Sequence, residues 1–348
     1  MKPTERAKQA LAYKLVDYLC DDPENNMATI MGKIDVLAPA SLFAEQRAAF
    51  SDAIKNKTNM YQLIMRVMDL NPEVRADLLK TFIVDANFLA WGKQEKMRER
   101  HQCNIPWAIL LDPTSACNLH CTGCWAAEYG HALNLAYDEI DSIIRQGKEL
   151  GVHVYIYTGG EPLVRKRDLI RLCEAHPDCA FLCFTNSTLI DEGFCQEMIR
   201  VKNFVPAISA EGDEAATDGR RGAGTYAKVD AAMDLLASHG LPFGVSICYT
   251  HDNAHSVASD AYFDWLIDKG ALFAWVFTYM PVGKGAPTEL MPTPDDRKLL
   301  YHFNRRVRAE KPILTLDFQH DGEFVGGCIA GGRRYLHINA AGDVEPCV

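Results

Sequence analysis

The eight residues Cys117-Asn-Leu-His-Cys121-Thr-Gly-Cys124 place three thiols on one short stretch, with the spacing C-x3-C-x2-C. Structural zinc takes four ligands in a closed tetrahedron. Three thiolates instead suit a 4Fe–4S cluster in which one iron has no protein ligand. An iron left open in this way can bind and reduce a small molecule. Two alternatives stay open: zinc completed by His120, His131 or a distant cysteine, and inert core thiols. A second motif follows, Tyr157-Thr-Gly159-Gly160-Glu161-Pro162. Paired glycines accept unusual dihedrals and let a ligand approach the backbone. Glu161 adds a carboxylate able to hold an ammonium group through a charge-assisted hydrogen bond.

Taken together, the two motifs resemble those of the radical S-adenosylmethionine (SAM) enzymes. The resemblance covers about residues 105–279. It implies that Cys117, Cys121 and Cys124 ligate a 4Fe–4S cluster, and that the amino and carboxylate groups of SAM chelate the open iron. Gly159, Gly160 and Glu161 would help to hold the SAM amino group. Ser209-Ala-Glu211-Gly212 resembles the Ser-x-Asp-Gly of many relatives, so Ser209 and Glu211 are expected at the ribose or carboxylate of SAM. Asn186 belongs to the same rim, and Arg221 or Arg220 would pair with the carboxylate. Tyr279 and the loop 283–285 are expected to border the substrate cavity. One departure stands out: relatives carry an aromatic residue just before the third cysteine, whereas here Gly123 precedes it and Trp125 follows.

The implied activity is reductive cleavage of SAM to a 5′-deoxyadenosyl radical, which removes a hydrogen atom from a peptide, lipid or small-molecule substrate. A flavodoxin or ferredoxin-type donor would supply the electron. The rival from another class is a non-enzymatic iron–sulfur electron carrier or a zinc-stabilised scaffold. A carrier gives its cluster four ligands and has no use for a Gly-Gly-Glu-Pro rim. A degenerate relative that binds SAM without cleaving it is a third reading.

Near the end of the sequence, Cys328 and Cys347 frame the pattern C-x13-G-x4-C. It is similar to the opening half of a SPASM domain, which carries auxiliary iron–sulfur clusters in relatives. The cysteines of the second half are missing, so the sequence reads as truncated. Cys328 and Cys347 are candidate ligands of an auxiliary cluster; the bland reading is a hairpin with two buried thiols.

These residues need a scaffold. Short apolar runs at 107–111, 153–157, 180–184, 204–209, 243–249 and 273–279 read as strands. Amphipathic stretches at 137–150, 166–176, 192–201, 226–239, 256–269 and 294–310 read as helices. Strand and helix alternate about every 30 residues, which predicts a parallel sheet with crossover helices. The fold class expected is α/β, a partial (β/α)6 TIM-like barrel. In such folds ligands sit at the C-terminal ends of the strands, where both motifs fall. A helical region, 1–100, precedes the core at 101–312, and a small cysteine-containing module, 313–348, follows it. The helical region and the module are candidates for closing the cavity.

Composition agrees. The chain has 348 residues, 48% hydrophobic and 24% charged, with a net charge of −10. That is ordinary globular composition, and the acidic balance argues against a general nucleic-acid binder. No apolar run is long enough for a transmembrane helix, and no signal peptide is evident. Twelve cysteines without a secretory signal suggest reduced thiols and a cytoplasmic setting. Cys20, Cys103, Cys173, Cys179, Cys183 and Cys195 belong to no motif and read as packing residues.

Overall fold

The computed structural model describes residues 3–37, 44–282 and 286–347. Its centre is one nine-stranded sheet: β1 (Ala108–Leu111), β2 (Val154–Tyr157), β3 (Ala180–Thr185), β4 (Phe204–Ser209), β5 (Gly244–Tyr249), β6 (Phe273–Thr278), β7 (Leu314–Asp317), β8 (Tyr335–Ile338) and β9 (Val344–Glu345). The order is β7-β6-β5-β4-β3-β2-β1-β8-β9. All neighbours are parallel except β8 and β9, which form an antiparallel pair. The sheet is not closed by a strand pair, but its ends approach: the Phe318 ring after β7 lies 6.1 Å from that of Tyr335 in β8.

The six expected strands and their crossover helices are present. Tyr137–Leu150, Glu192–Val201 and Pro294–Glu310 match the sequence pattern end to end. Each buries an apolar stripe against the sheet, as Ile140 and Ile144 do at 0% exposure. The stretch 256–269, expected as one helix, is two. Ser259 ends the first turn and caps Asp260–Asp268 by accepting a hydrogen bond from the Tyr262 N–H.

Two further differences bear on the site. A short helix, Glu214–Arg221, follows β4, capped by the Asp213 side chain on the Ala216 N–H at 2.9 Å. It carries both candidate arginines. The glycine-rich end of the sequence, expected to form a separate module, instead sends β8 into the main sheet beside β1, with Ala108 opposite Tyr335 and Leu111 opposite Ile338. A four-residue apolar run signals a strand, but its partner lies over 200 residues away, beyond the reach of periodicity.

The N-terminal region is helical as expected, from Pro3–Asp21 to Ala90–His101, with a wide π-helical segment at Lys80–Leu89. Among the described residues it contributes no side chain to the cavity at the ligand end of the sheet. Its side chains cap loops that lead into the strands. Gln94 donates to the Gly151 carbonyl at 2.9 Å, and Arg66 to those of Pro312 and Ile267 at 2.6 and 2.7 Å. Asn71 donates its backbone N–H to Gly240 at 2.8 Å. Those loops sit at the N-terminal ends of the strands, so this region seals the opposite end of the molecule. Cys173, Cys179, Cys183 and Cys195 are buried in the core, as expected, whereas Cys103 is exposed. No helix among the described residues is long and apolar enough to cross a membrane.

Candidate cofactor site

The cysteine loop begins where β1 ends. Its first residues continue to pair with the chain leaving β2. Thr158 N–H donates to Leu111 at 2.8 Å, Gly160 N–H to Thr114 at 3.0 Å, and Glu161 N–H to Ala116 at 2.8 Å. This extended ladder explains both glycines. Gly159 has φ +98°, and a Cβ there would lie 2.8 Å from Asp112 Cβ. A Cβ on Gly160 would lie 2.2 Å from the Ala116 carbonyl oxygen. The expected close approach is real, but what approaches is the base of the cysteine loop. Gly159, Gly160 and Glu161 all line a cavity of about 320 Å³ at the C-terminal ends of the strands.

Cys117, Cys121 and Cys124 line the same cavity, and each is half-buried. Thiolates around one zinc, bonded at about 2.3 Å in a tetrahedron, lie about 3.8 Å apart. Among the described residues, only His153, Asp178 and Cys179 bring three such ligand atoms within 4.8 Å of one another. The three loop thiols are not drawn together as tightly as that group. His120 and His131 are exposed and pack edge-to-face on each other, at 5.5 Å. The His153 group lies at the other end of β2 and β3, where Asp178 is paired with Lys148 at 2.6 Å.

Glu161 is 1% exposed. Its Oε1 accepts from the Thr185 hydroxyl at 2.6 Å and the Leu163 N–H at 2.9 Å, and its Oε2 from the Asn186 N–H at 2.7 Å. Burial pushes its carboxyl above the ordinary value, against these donors. Two carboxylate oxygens offer about four acceptor sites, so Oε2 retains capacity for an ammonium donor. Asn186 also lines the cavity, but its side chain is engaged with the loop. It donates to Asn118 Oδ1 at 2.8 Å and lies 4.0 Å from Cys117 Sγ.

Ser209 lines the cavity from the end of β4. Glu211, expected to touch the cofactor, does not line it. It is 0% exposed, and its Oε1 accepts from Arg220 Nη1 at 2.6 Å and from Arg221 Nε at 2.8 Å and Nη2. Its Oε2 accepts from the Cys248 N–H at 2.9 Å. Burial alone would raise its carboxyl, but Arg220 and Arg221 together outweigh that and hold it below its ordinary value. Glu211 thus positions two cations whose guanidinium groups do line the cavity. Arg221 Nη1 reaches to 3.8 Å from Cys121 Sγ, and the Arg220 carbonyl accepts the Thr122 N–H at 2.9 Å. A buried carboxylate that ties two arginines to the cysteine loop is a tertiary device.

Tyr279 lines the cavity as expected; the loop 283–285 lies outside the described residues. The Tyr279 ring answers the departure at Gly123. Gly123 has φ +66°, and a Cβ there would lie 2.6 Å from the ring. An aromatic from the end of β6 thus packs where a side chain before the third cysteine would begin. Cys347 lines the cavity, whereas Cys328 is exposed and does not. Both act on the Tyr335 hydroxyl, whose pKa is raised by burial first and then by these two thiols.

His337 was not singled out by any sequence pattern. It is 0% exposed in β8, with Nε2 2.9 Å from Asp112 Oδ1 and Nδ1 2.8 Å from Glu345 Oε2. The Trp125 ring sits edge-on at 6.1 Å. Flanked by two carboxylates, the imidazole is pushed above its ordinary pKa despite burial. It ties the root of the cysteine loop to the hairpin that carries Cys347.

Residues 111–259 match the Radical SAM superfamily. The AdoMet-dependent heme synthase of Methanosarcina barkeri is 24% identical over 273 residues, which cover 70% of this chain and 77% of that protein. The PqqA peptide cyclase of Streptomyces rochei is 27% identical over 259 residues, covering 70% and 69%. Streptococcus suis SuiB, solved with bound S-adenosylmethionine, has the same fold at a TM-score of 0.60 and 21% identity. That match covers 74% of this chain and 64% of SuiB, so the chain spans just under two thirds of the SuiB length. The three-thiol loop after β1 and the Gly-Gly-Glu turn after β2 both lie within the residues, 111–259, that match the Radical SAM superfamily.

Proposed function

We propose that the protein is a radical SAM enzyme that abstracts a hydrogen atom from its substrate. One observation carries this reading: three half-buried thiols, the Glu161 carboxylate and the Arg221 guanidinium converge on one cavity at the C-terminal ends of the strands. Cys117, Cys121 and Cys124 would hold a 4Fe–4S cluster by three of its irons. Glu161 would accept the ammonium of SAM, Arg221 would meet its carboxylate, and Ser209 would reach its ribose. The bound cluster and SAM supply the radical by one-electron cleavage of a sulfur–carbon bond. Around them the chain's residues bind, orient and exclude water. Asn186 braces the cysteine loop, Glu211 holds the arginines in place, and Leu110, Phe184 and Trp275 furnish apolar walls.

The electron would come from a flavodoxin or ferredoxin-type protein. Cys328 and Cys347 are proposed as ligands of an auxiliary iron–sulfur site, which needs further donors because two thiols do not satisfy a cubane. Twelve free thiols fit a reducing compartment such as the cytoplasm.

The test is anaerobic reconstitution with iron and sulfide, then dithionite and SAM. The protein should turn brown and release 5′-deoxyadenosine, and a Ser at position 117, 121 or 124 should abolish both. Zinc binding without colour would overturn the proposal in favour of a scaffold. A coloured protein inert to SAM would overturn it in favour of a carrier.

A further inference from the structure

The cavity has two unlike halves. Cys117, Cys121, Cys124, Glu161, Arg220 and Arg221 gather the ionisable groups on one side, with Cys248 in β5 near Arg220 and Cys347 across the cavity beside Tyr335. The side formed by β3, β6, β7 and β8 is aromatic. Phe184 lies 5.4 Å from Trp275 and 5.7 Å from Phe277, Trp275 stacks on Phe277 at 5.7 Å, and Phe277 meets Phe318 at 5.2 Å. Phe318 continues the chain of rings to Tyr335. At the outer end the wall runs on through Met280 and Val282, which are 50% and 48% exposed although they line the cavity. An apolar path therefore leads from the surface to the floor.

Polar groups on this half are mostly engaged. The Thr278 hydroxyl donates to the Tyr249 hydroxyl at 2.8 Å, the Thr278 N–H donates to Gln319 Oε1 at 2.9 Å, and the Tyr279 hydroxyl donates to the Pro287 carbonyl at 3.1 Å. The Tyr335 hydroxyl and Cys347 Sγ face each other at 3.9 Å, and the Ser246 hydroxyl, the Gln319 amide nitrogen and the Trp275 indole N–H remain. A peptide threaded here would bring a donor and an acceptor with every residue, and a buried amide group without a partner costs about 1–3 kcal/mol. A charged substrate would meet no counter-ion on this half among the described residues. A hydrocarbon chain adds no unpaired polar group of its own.

We infer that the part of the substrate lying in this half of the cavity is an uncharged alkyl chain, as of a lipid, entering past Met280 and Val282. The inference rests on the reading above for the chemistry, but binding tests it separately. Each CH₂ moved out of water should tighten binding about fourfold (~0.8 kcal/mol). The experiment titrates reconstituted, SAM-loaded protein with a series of 1-monoacylglycerols from octanoyl upward. Brominated chains serve as quenchers of tryptophan fluorescence. The expected result is saturable binding that tightens with chain length until the cavity is filled, then levels off. Trp275→Phe should remove most of the quenching. Val282→Asp, a change at the exposed rim, should weaken binding by tenfold or more. Affinity indifferent to chain length, or tighter binding of capped Leu-Ala peptides than of any acylglycerol, would overturn the inference. Chain binding without SAM cleavage would sink the enzymatic reading instead and leave this one standing.

Discussion

Glu211, 0% exposed between Arg220 and Arg221, holds its charge out of water, and Glu211→Gln tests what that charge does. The substitution keeps the shape of the side chain and an oxygen for the Cys248 N–H, now at 2.9 Å. It removes the negative charge that faces Arg220 and Arg221, both only 12% exposed at the side chain. Removing one partner of a buried ion pair costs about 3–5 kcal/mol, because the other charge is left uncompensated. The lower figure already shifts the folding equilibrium more than a hundredfold, at about 1.4 kcal/mol per factor of ten. Equilibrium urea denaturation of the metal-free protein, followed by circular dichroism, measures it. The pH dependence supplies a second check. Glu211 sits below its ordinary pKa when folded, so its contribution is present above the unfolded value, about 4.3. That contribution is lost as pH falls through the folded value. The gap between wild type and variant should therefore narrow in acid. A variant within about 1 kcal/mol of wild type at neutral pH, or a gap that stays constant with acidification, would refute the reasoning.

Three other substitutions follow from the same geometry. Gly160→Ala forces a Cβ to 2.2 Å from the Ala116 carbonyl; we expect a loss of about 1–3 kcal/mol and, because Cys117 is the next residue, reduced iron content after reconstitution. Gly123→Ala meets the Tyr279 ring and a φ of +66°. Adding Tyr279→Ala should recover the steric part of the lost stability but leave about 1 kcal/mol from the left-handed backbone, and a double-mutant cycle reads the difference. His337→Gln leaves Asp112, 1% exposed, without its cation. Melting temperature should fall by an amount equivalent to about 3 kcal/mol or more, and Asp112→Asn in the same chain should restore part of it.

Much of the site was legible in the sequence because its chemistry is local. Three thiols on eight residues and a Gly-Gly-Glu turn declare themselves by spacing, and the alternation of short apolar runs with amphipathic helices locates them at the strand ends. The same locality limited the reading. Gly159 and Gly160 were explained by a ligand, when the backbone they admit is that of the cysteine loop. Glu211 looked like a cofactor contact, yet its partners are Arg220 and Arg221. In both cases the structure shows a protein neighbour that the motif does not reveal, since a motif names a side chain but not what faces it.

Period and spacing are set by neighbours along the chain, so the sequence by itself determined the order of strands and crossovers, the cysteine loop and the helical character of the first hundred residues. Contacts between distant segments follow from closure of the whole sheet. Tertiary structure alone decided that Tyr335–Ile338 pairs with β1, that the N-terminal helices cover the far end of the sheet, and that His337 bridges Asp112 and Glu345. The physical reason is that burial and charge pairing depend on which surfaces meet once the apolar faces have been withdrawn from water.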